Sequence, residues 1–483
     1  MRKNYGQKVG DRCPTAYGQF FCCGALRPRN TVAAANLHHQ LCFRKLVSEG
    51  HGHWRKQTRR LDFVIPQRRI VLKPSPSIAS ESNFDTACGA VLPCDRRMVL
   101  SGMVLKQPVE GLYVHVPFCA RGKCRYCDFY SIPASSEHEA RYLVALRREI
   151  KLTAPGVFPH SIFIGGGTPT SLSMEGLDAL LSLVDLFPRD LVKEYTVEAN
   201  PGTLDSARLR LFSSRGVNRL SVGVQSFDDS RLAFLGRRHS GNESKEAVAA
   251  VLQAGIANVS VDLISDIPGT SDQGWLQELD TAISLGVKHI SCYSLTLEPG
   301  TPLFESARLG EFQPEPPELS AHRMLLTGEY LNSRGFRRYE ISNFAIPGFE
   351  CRHNRLYWRN GSYLGLGPSS ASFIDGERRR NVADLKEYSV ALEAGRLPVE
   401  MRERLSARKF AGETAMLMLR RHEGVVATEF LTVTGVDAFS LFEKQIKHLT
   451  AIGMLELTRT GVRIPESQIA LSDSVMTEFL EDD

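Results

Sequence analysis

His115-Val-Pro-Phe-Cys119-Ala-Arg-Gly-Lys-Cys124-Arg-Tyr-Cys127-Asp-Phe129 places three thiols within nine residues. It follows directly on Leu112-Tyr-Val-His-Val116, a run with the character of a strand. Thiolates converging on one loop suit an iron–sulfur cluster or zinc, because soft sulfur selects these metals over oxygen-seeking cations. A zinc site would normally recruit a fourth Cys or His nearby in a paired spacing. The next cysteines, Cys292 and Cys351, are single and far along the chain. Three ligands without a fourth fit a [4Fe–4S] cluster with one open iron, where a substrate or cofactor can bind. The alternative is three reduced cysteines in an ordinary loop.

Working outward from this loop, short apolar runs alternate with longer stretches whose apolar residues recur every three or four positions. Strands are expected at 112–116, 161–164, 194–198, 219–224, 259–264 and 289–295. Helices are expected at 137–153, 173–186, 204–215, 244–254 and 273–285. This alternation argues for βα units around a parallel sheet. Six such strands are too few for a closed eight-stranded barrel, so the expected fold is α/β, a partial (β/α)6 barrel over residues 103–345. Chemistry in such folds gathers at the C-terminal ends of the strands. The polar and glycine-rich signals obey that rule: the three cysteines, Gly165-Gly-Gly-Thr-Pro-Thr170, Glu198-Ala-Asn-Pro201, Gly223-Val-Gln-Ser-Phe227 with Arg237 beyond it, and Asp262. Each alone reads more readily as a turn, a cap or a surface residue; their shared rim is what carries weight. The glycines would let backbone approach a ligand closely.

A further region, 346–380, holds Glu350-Cys-Arg-His-Asn-Arg-Leu-Tyr-Trp358. His353 with Tyr357 and Trp358 offers an imidazole beside a flat apolar surface, as an axial haem ligand with a stacking wall would need. A histidine buried in an aromatic core would look the same. Residues 381–483 turn helical and charged, with helices expected at 387–394, 404–421 and 438–452. A hairpin is expected at 455–464 with Gly461 in its turn. Helices followed by a hairpin resemble a small α+β winged-helix domain, expected to cover the barrel mouth or hold a partner.

Hydrophobic residues are 42% of the 483 and charged residues 23%, a soluble globular composition. No apolar run approaches the length of a membrane span, and no secretory signal is visible. The net charge of +5 conceals a division: residues 1–103 hold 17 Lys+Arg against 6 Asp+Glu, leaving 42 against 48 beyond them. The basic segment lacks both the amphipathic periodicity of a transit peptide and the aromatic interleaving of a nucleic-acid arm. Residues 1–102 are therefore expected to be a disordered extension or an over-extended reading frame, with no nucleic-acid partner. The expected compartment is reducing and cytoplasmic.

From about Gly111 onward the chain resembles radical S-adenosylmethionine (SAM) enzymes of the oxygen-independent coproporphyrinogen III oxidase family, and within it the haem-chaperone branch. The residues carrying the resemblance are Tyr113-Val-His-Val-Pro-Phe-Cys119, Cys124-Arg-Tyr-Cys127, the Gly165–Thr170 loop, Glu198, Gln225, Arg237, Asp262, Glu298-Pro-Gly-Thr-Pro302 and His353-Asn-Arg-Leu-Tyr-Trp358. The resemblance implies that Cys119, Cys124 and Cys127 ligate three irons of a [4Fe–4S] cluster. It implies SAM contacts at Tyr113, Tyr126, Gly166, Gly167, Thr168, Glu198, Gln225, Arg237 and Asp262, and haem contacts at His353, Tyr357 and Trp358. The partners implied are haem, a haem-accepting protein and an electron donor for the cluster.

Two departures stand out. Four residues separate Cys119 from Cys124 where the family usually has three, and Ser265-Asp-Ile-Pro-Gly269 replaces a Tyr/Phe-Gly-Leu-Pro-Gly run. The dehydrogenase branch, which decarboxylates coproporphyrinogen III, carries a further cysteine two residues after the third ligand. Phe129 stands there instead. The resemblance therefore favours a haem chaperone, with the dehydrogenase as the alternative.

Overall fold

The computed structural model describes residues 108–119 and 122–480; the expectations for residues 1–102 lie outside the described residues. Six parallel strands stand where the sequence placed them: β1 (Gly111–Val116), β2 (Ser161–Gly166), β3 (Glu194–Ala199), β4 (Arg219–Gln225), β5 (Asn258–Ile264) and β6 (His289–Tyr293). They neighbour one another in chain order. The crossovers are α1 (Ser136–Thr153), α2 (Met174–Val184), α3 (Ser206–Ser214), α4 (Gly241–Gln253) and α5 (Asp272–Ser284). Each helix starts where Ser135, Ser173, Asp205, Ser240 or Ser271 accepts a backbone N–H of the first turn, relieving donors that have no partner within the helix.

Both faces of this sheet are buried, so the strands are nearly continuous in apolar residues rather than alternating. On β1, Leu112, Val114 and Val116 pack with the helices in the main core. Tyr113, between them, joins Phe163, Tyr339 and Cys351 on the other face, inside the barrel.

Among the described residues the sheet has twelve strands. β7 (Arg337–Glu340) and β8 (Asn343–Ala345) extend it beyond β6, whereas β9 (Tyr363–Leu366), β10 (Ala371–Ile374), β11 (Glu377–Asn381) and β12 (Val399–Arg404) extend it beyond β1. β9 runs parallel to β1, with Gly111 opposite Tyr363. None of these six was expected as a strand. β11, Glu-Arg-Arg-Arg-Asn, has no apolar alternation to read, because its cross-strand partners are carboxylates: Arg378 meets Glu403 at 2.8 Å and Arg380 meets Glu400 at 2.6 Å.

Between β6 and β9 lie α6 (Pro317–Ser333) and α7 (Arg352–Trp358), the latter at the N-terminal end of the barrel. The C-terminal part includes α8 (Ala407–Leu419), β13 (Val425–Val426), α9 (Ala427–Thr434), α10 (Ala438–Leu441), α11 (Glu443–Ala451), β14 (Glu456–Leu457) and β15 (Gly461–Arg463), and ends in a 3-10 turn, Glu466–Leu471, and a short helix, Ser472–Thr477. The three strands form an antiparallel sheet in the order β13-β15-β14, which makes this a winged-helix arrangement. The helix expected at 438–452 is broken at Phe442, whose φ of −116° and ψ of 30° leave the helical region. Gly461 is on β15 rather than in the turn, because a Cβ there would lie 1.8 Å from the Val425 carbonyl oxygen of the neighbouring strand. This part does not cover the barrel mouth. Its core, with Met418, Phe430 and Phe442, takes in Trp358 from α7, at the other end.

Candidate functional site

The C-terminal ends of β1–β6 enclose a cavity, and the cysteine loop forms one wall of it. Cys119, Cys124 and Cys127 all line this cavity as free, partly buried thiols. Among the described residues no three His, Cys, Asp or Glu side chains gather around one metal-ion position. The soft, three-thiolate donor set on one cavity fits a cluster, in which each thiolate binds its own iron. The second half of the loop is anchored from outside. The Arg125 amide donates to the Leu235 carbonyl at 3.1 Å, and its guanidinium donates to Ser306 Oγ at 2.8 Å. Gly122 takes a φ of +85°, open to glycine at little cost, within the four-residue spacer between Cys119 and Cys124.

The glycine loop at the end of β2 is explained by its neighbours within the protein. A Cβ on Gly165 would lie 2.6 Å from Glu198 Oε2, and one on Gly167 would lie 2.4 Å from the Phe118 carbonyl oxygen. Gly166, at φ +109°, has His115 Nδ1 where a Cβ would be, at 2.7 Å. The three glycines thus let β2 close on β1 and β3, and Gly166 and Gly167 also line the cavity. The Gly166 amide donates to Glu198 Oε2 at 3.1 Å.

Two carboxyls share this low-dielectric space. Burial pushes Glu198 up to about 8, helped by the Asp262 charge, and burial also raises Asp262. Ser221 Oγ donates to Asp262 at 3.3 Å. Arg237 crosses the cavity floor: one guanidinium nitrogen donates to Cys124 Sγ at 3.3 Å, the other to Asn200 Oδ1 at 2.6 Å and the Gly223 carbonyl at 2.5 Å. Its Nε is buried without a partner. Thr168 Oγ1 accepts from Asn200 Nδ2 at 2.7 Å. Gln225 holds a φ of +69° beside a register shift in β4, a strained conformation for a residue with a Cβ. The altered run after β5 is held by Arg323, fully buried on α6. Its guanidinium donates to the Thr270 carbonyl and lies 3.4 Å from an Asp266 carboxylate oxygen.

Of the nine residues expected to contact SAM, eight line this cavity: Tyr126, Gly166, Gly167, Thr168, Glu198, Gln225, Arg237 and Asp262. Tyr113 does not line it. It lies deeper inside the barrel, its hydroxyl 3.0 Å from His115 Nδ1. Sequence reasoning left out Ser221, Arg238, Tyr293 and Ser294, which also line the wall. Ser221 and Tyr293 follow from strand position, since they fall on β4 and β6, but no motif marks them. Phe129 also faces the cavity.

His353, Tyr357 and Trp358 share α7 but not this cavity. His353 is sealed: Nδ1 meets Ser161 Oγ and Nε2 meets Tyr357 OH, both at 2.9 Å, and the ring stacks on Phe163. Burial lowers it to about 3, so the ring is neutral. Ser161 opens β2 and Gly166 closes it, so at about 3.3 Å per residue the imidazole lies roughly 16 Å from the cysteine rim. Trp358 turns into the C-terminal core, with the Arg420 guanidinium 4.5 Å from its ring centroid.

The radical SAM superfamily matches residues 113–282, and the HemN C-terminal domain matches residues 405–470. The haem chaperone HemW of Bacillus subtilis (strain 168) is 33% identical over 379 residues, covering 77% of this chain and 99% of its own. HemW of Escherichia coli (strain K12) is 33% identical over 391 residues, covering 78% and 100%. The mitochondrial radical S-adenosyl methionine domain-containing protein 1 of Bos taurus is 34% identical over 387 residues, covering 76% and 87%. Among solved structures, the coproporphyrinogen III oxidase HemN of Escherichia coli shares the fold, with a TM-score of 0.67 at 21% identity over 77% of this chain and 90% of its own. A three-cysteine rim on a partial barrel, a HemN-type winged-helix domain and similarity along nearly the whole length of these relatives place this chain in the HemW family of radical SAM proteins.

Proposed function

We propose that this protein is a haem chaperone, which holds a [4Fe–4S] cluster and SAM at the C-terminal rim of its barrel and passes haem to an acceptor protein. The observation that carries this reading is the near full-length similarity to relatives named haem chaperones. Cys119, Cys124 and Cys127 would hold the cluster, leaving one iron open to the amino acid end of SAM. Arg237, with its buried unpartnered Nε, suits a carboxylate, and Glu198 and Asp262 suit cationic and hydroxyl groups. Tyr126, beside Ile264 and Ile267, gives the cavity an apolar flank that helps exclude water. A bound cluster, reduced by an electron donor, supplies one-electron chemistry to its cofactor.

Phe129 on the cavity wall favours the chaperone over a coproporphyrinogen dehydrogenase, because an aromatic ring cannot supply the thiol that the dehydrogenase branch carries there. The three free thiols also suit a reducing compartment, and we assign the protein to the cytoplasm. Among the described residues no helix is long and apolar enough to cross a membrane. The test is anaerobic reconstitution followed by two assays on one preparation, haem titration by absorbance and coproporphyrinogen turnover. Saturable haem binding without turnover is the expected result. Protoporphyrinogen formation without haem binding would overturn the reading.

A further inference from the structure

We propose that Arg237 tunes the reduction potential of the cluster at the cysteine rim, by donating a hydrogen bond to the Cys124 ligand and stabilising the reduced state. This rests on the cluster half of the reading above. One guanidinium nitrogen of Arg237 donates to Cys124 Sγ at 3.3 Å. The other is fixed by Asn200 Oδ1 at 2.6 Å and the Gly223 carbonyl at 2.5 Å. Hydrogen bonds to ligand sulfurs are one of the means by which a protein sets the potential of such a cluster.

The local backbone brings the guanidinium to the sulfur without help from any ligand. The short helix Asp229–Leu235 opens where the Asp228 side chain accepts the Arg231 amide, and it ends at Gly236, whose φ of +71° stops it just before Arg237. A Cβ on Gly236 would lie 2.9 Å from Arg125 Cγ, and the Arg125 amide donates to the Leu235 carbonyl at 3.1 Å. The turn that carries Arg237 therefore touches the cysteine loop at the residue after Cys124, which fixes the reach from guanidinium to sulfur. Asn200 is a positioning residue in this arrangement. Its Oδ1 orients Arg237 while its Nδ2 donates to Thr168 Oγ1 at 2.7 Å, tying the guanidinium to the loop after β2.

Charge points the same way. A guanidinium stays protonated at any working pH. Among the described residues Arg237 pairs with no carboxylate: its hydrogen bonds go to an amide oxygen, a carbonyl and a thiol, and its Nε is buried without a partner. A cation out of water is costly without a counter-charge, and Cys124 in its thiolate form supplies one at hydrogen-bond distance. Reduction takes one electron from a low-potential donor protein and exchanges no other group, so the rim gains negative charge. A fixed cation and N–H donor beside a ligand sulfur favour that more negative state, and Arg237 thereby raises the potential and eases reduction.

The test uses the full chain, reconstituted anaerobically without haem or SAM. A potentiometric titration with viologen mediators is followed by electron paramagnetic resonance of the reduced cluster, with iron and sulfide counted in every variant. Arg237→Gln is expected to load iron and to be at least about tenfold harder to reduce, a downward shift of about 59 mV or more for a one-electron couple. Arg237→Lys, which keeps the charge but not the planar fork, is expected to fall between it and the wild type. Asn200→Ala, which frees the guanidinium without removing it, is expected to shift the potential in the same direction. A wild-type potential in iron-loaded Arg237→Gln would overturn the proposal and leave the cluster reading standing. Should Arg237→Gln take up no iron, wild-type potentials in Arg237→Lys and Asn200→Ala would overturn it instead. A wild-type protein that takes up no [4Fe–4S] cluster would overturn the reading of the rim itself.

Discussion

Glu198 shows how a single side chain sets stability against function. Burial holds its carboxyl at about 8 in the folded protein, against 4.5 ordinarily. A raised folded-state value contributes stability that is fully present below about pH 4.5 and is lost as pH rises through about 8. Glu198→Gln removes that loss and is expected to stabilise the ligand-free protein at pH 8–9 by about 2–5 kcal/mol, while weakening SAM binding. Thermal unfolding across pH 5–9, with SAM titration alongside, checks both effects. Gly167 tests the packing argument. Its substitution by Ala drives a methyl against the Phe118 carbonyl, next to Cys119, and is expected to cost about 1–3 kcal/mol and lower iron uptake on reconstitution. Unchanged melting temperature and iron content would contradict it. That Gly165–Gly167 matter was legible in the sequence. That their immediate neighbours are Glu198, His115 and Phe118 was not, because those contacts join residues far apart in the chain.

At the scale of elements, the parallel strands and crossover helices were readable because buried strands and amphipathic helices leave local apolar patterns. The added strands were not. β9 is held against α1 and β11 by one buried carboxylate: Glu149 accepts from the Gly367 amide at 2.8 Å, Asn381 Nδ2 at 2.6 Å and Tyr388 OH at 2.5 Å. Glu149→Ala would strand three donors, each costing about 1–3 kcal/mol when buried. The expected result is a loss of at least about 3 kcal/mol in denaturant unfolding, with faster amide exchange at 363–381 than across β2–β5. Uniform exchange across the sheet would show that Glu149 does not tie this edge. No local pattern announces such a tie, since its donors lie more than 200 residues from Glu149.

Across the whole molecule, the C-terminal part is joined to the sheet edge by a buried pair. Arg378 on β11 meets Glu413 on α8 at 2.6 Å, with side chains 5% and 7% exposed. Breaking one partner leaves an uncompensated buried charge, so Arg378→Met is expected to cost about 3–5 kcal/mol. Replacing both, with Glu413→Leu added, is expected to recover much of that. Urea unfolding of the two variants checks the difference. Equal losses in single and double variants would place the destabilisation elsewhere. The same end of the molecule carries α7 and its arginines, which line a second, charged cavity, so the fold separates that cavity from the cysteine rim by the length of the barrel.

The sequence by itself determined the three-thiol loop, the six parallel strands and the rim on which eight of the nine expected cofactor residues meet. These depend on local spacing and on the rule that βα loops gather at one end of a parallel sheet. Only the tertiary structure decided which way α7 faces. A helix offers its residues all around its axis, and the choice of which to bury belongs to what it packs against. Here the barrel interior takes His353 and the winged-helix core takes Trp358, which leaves the arginines between them to line the second cavity.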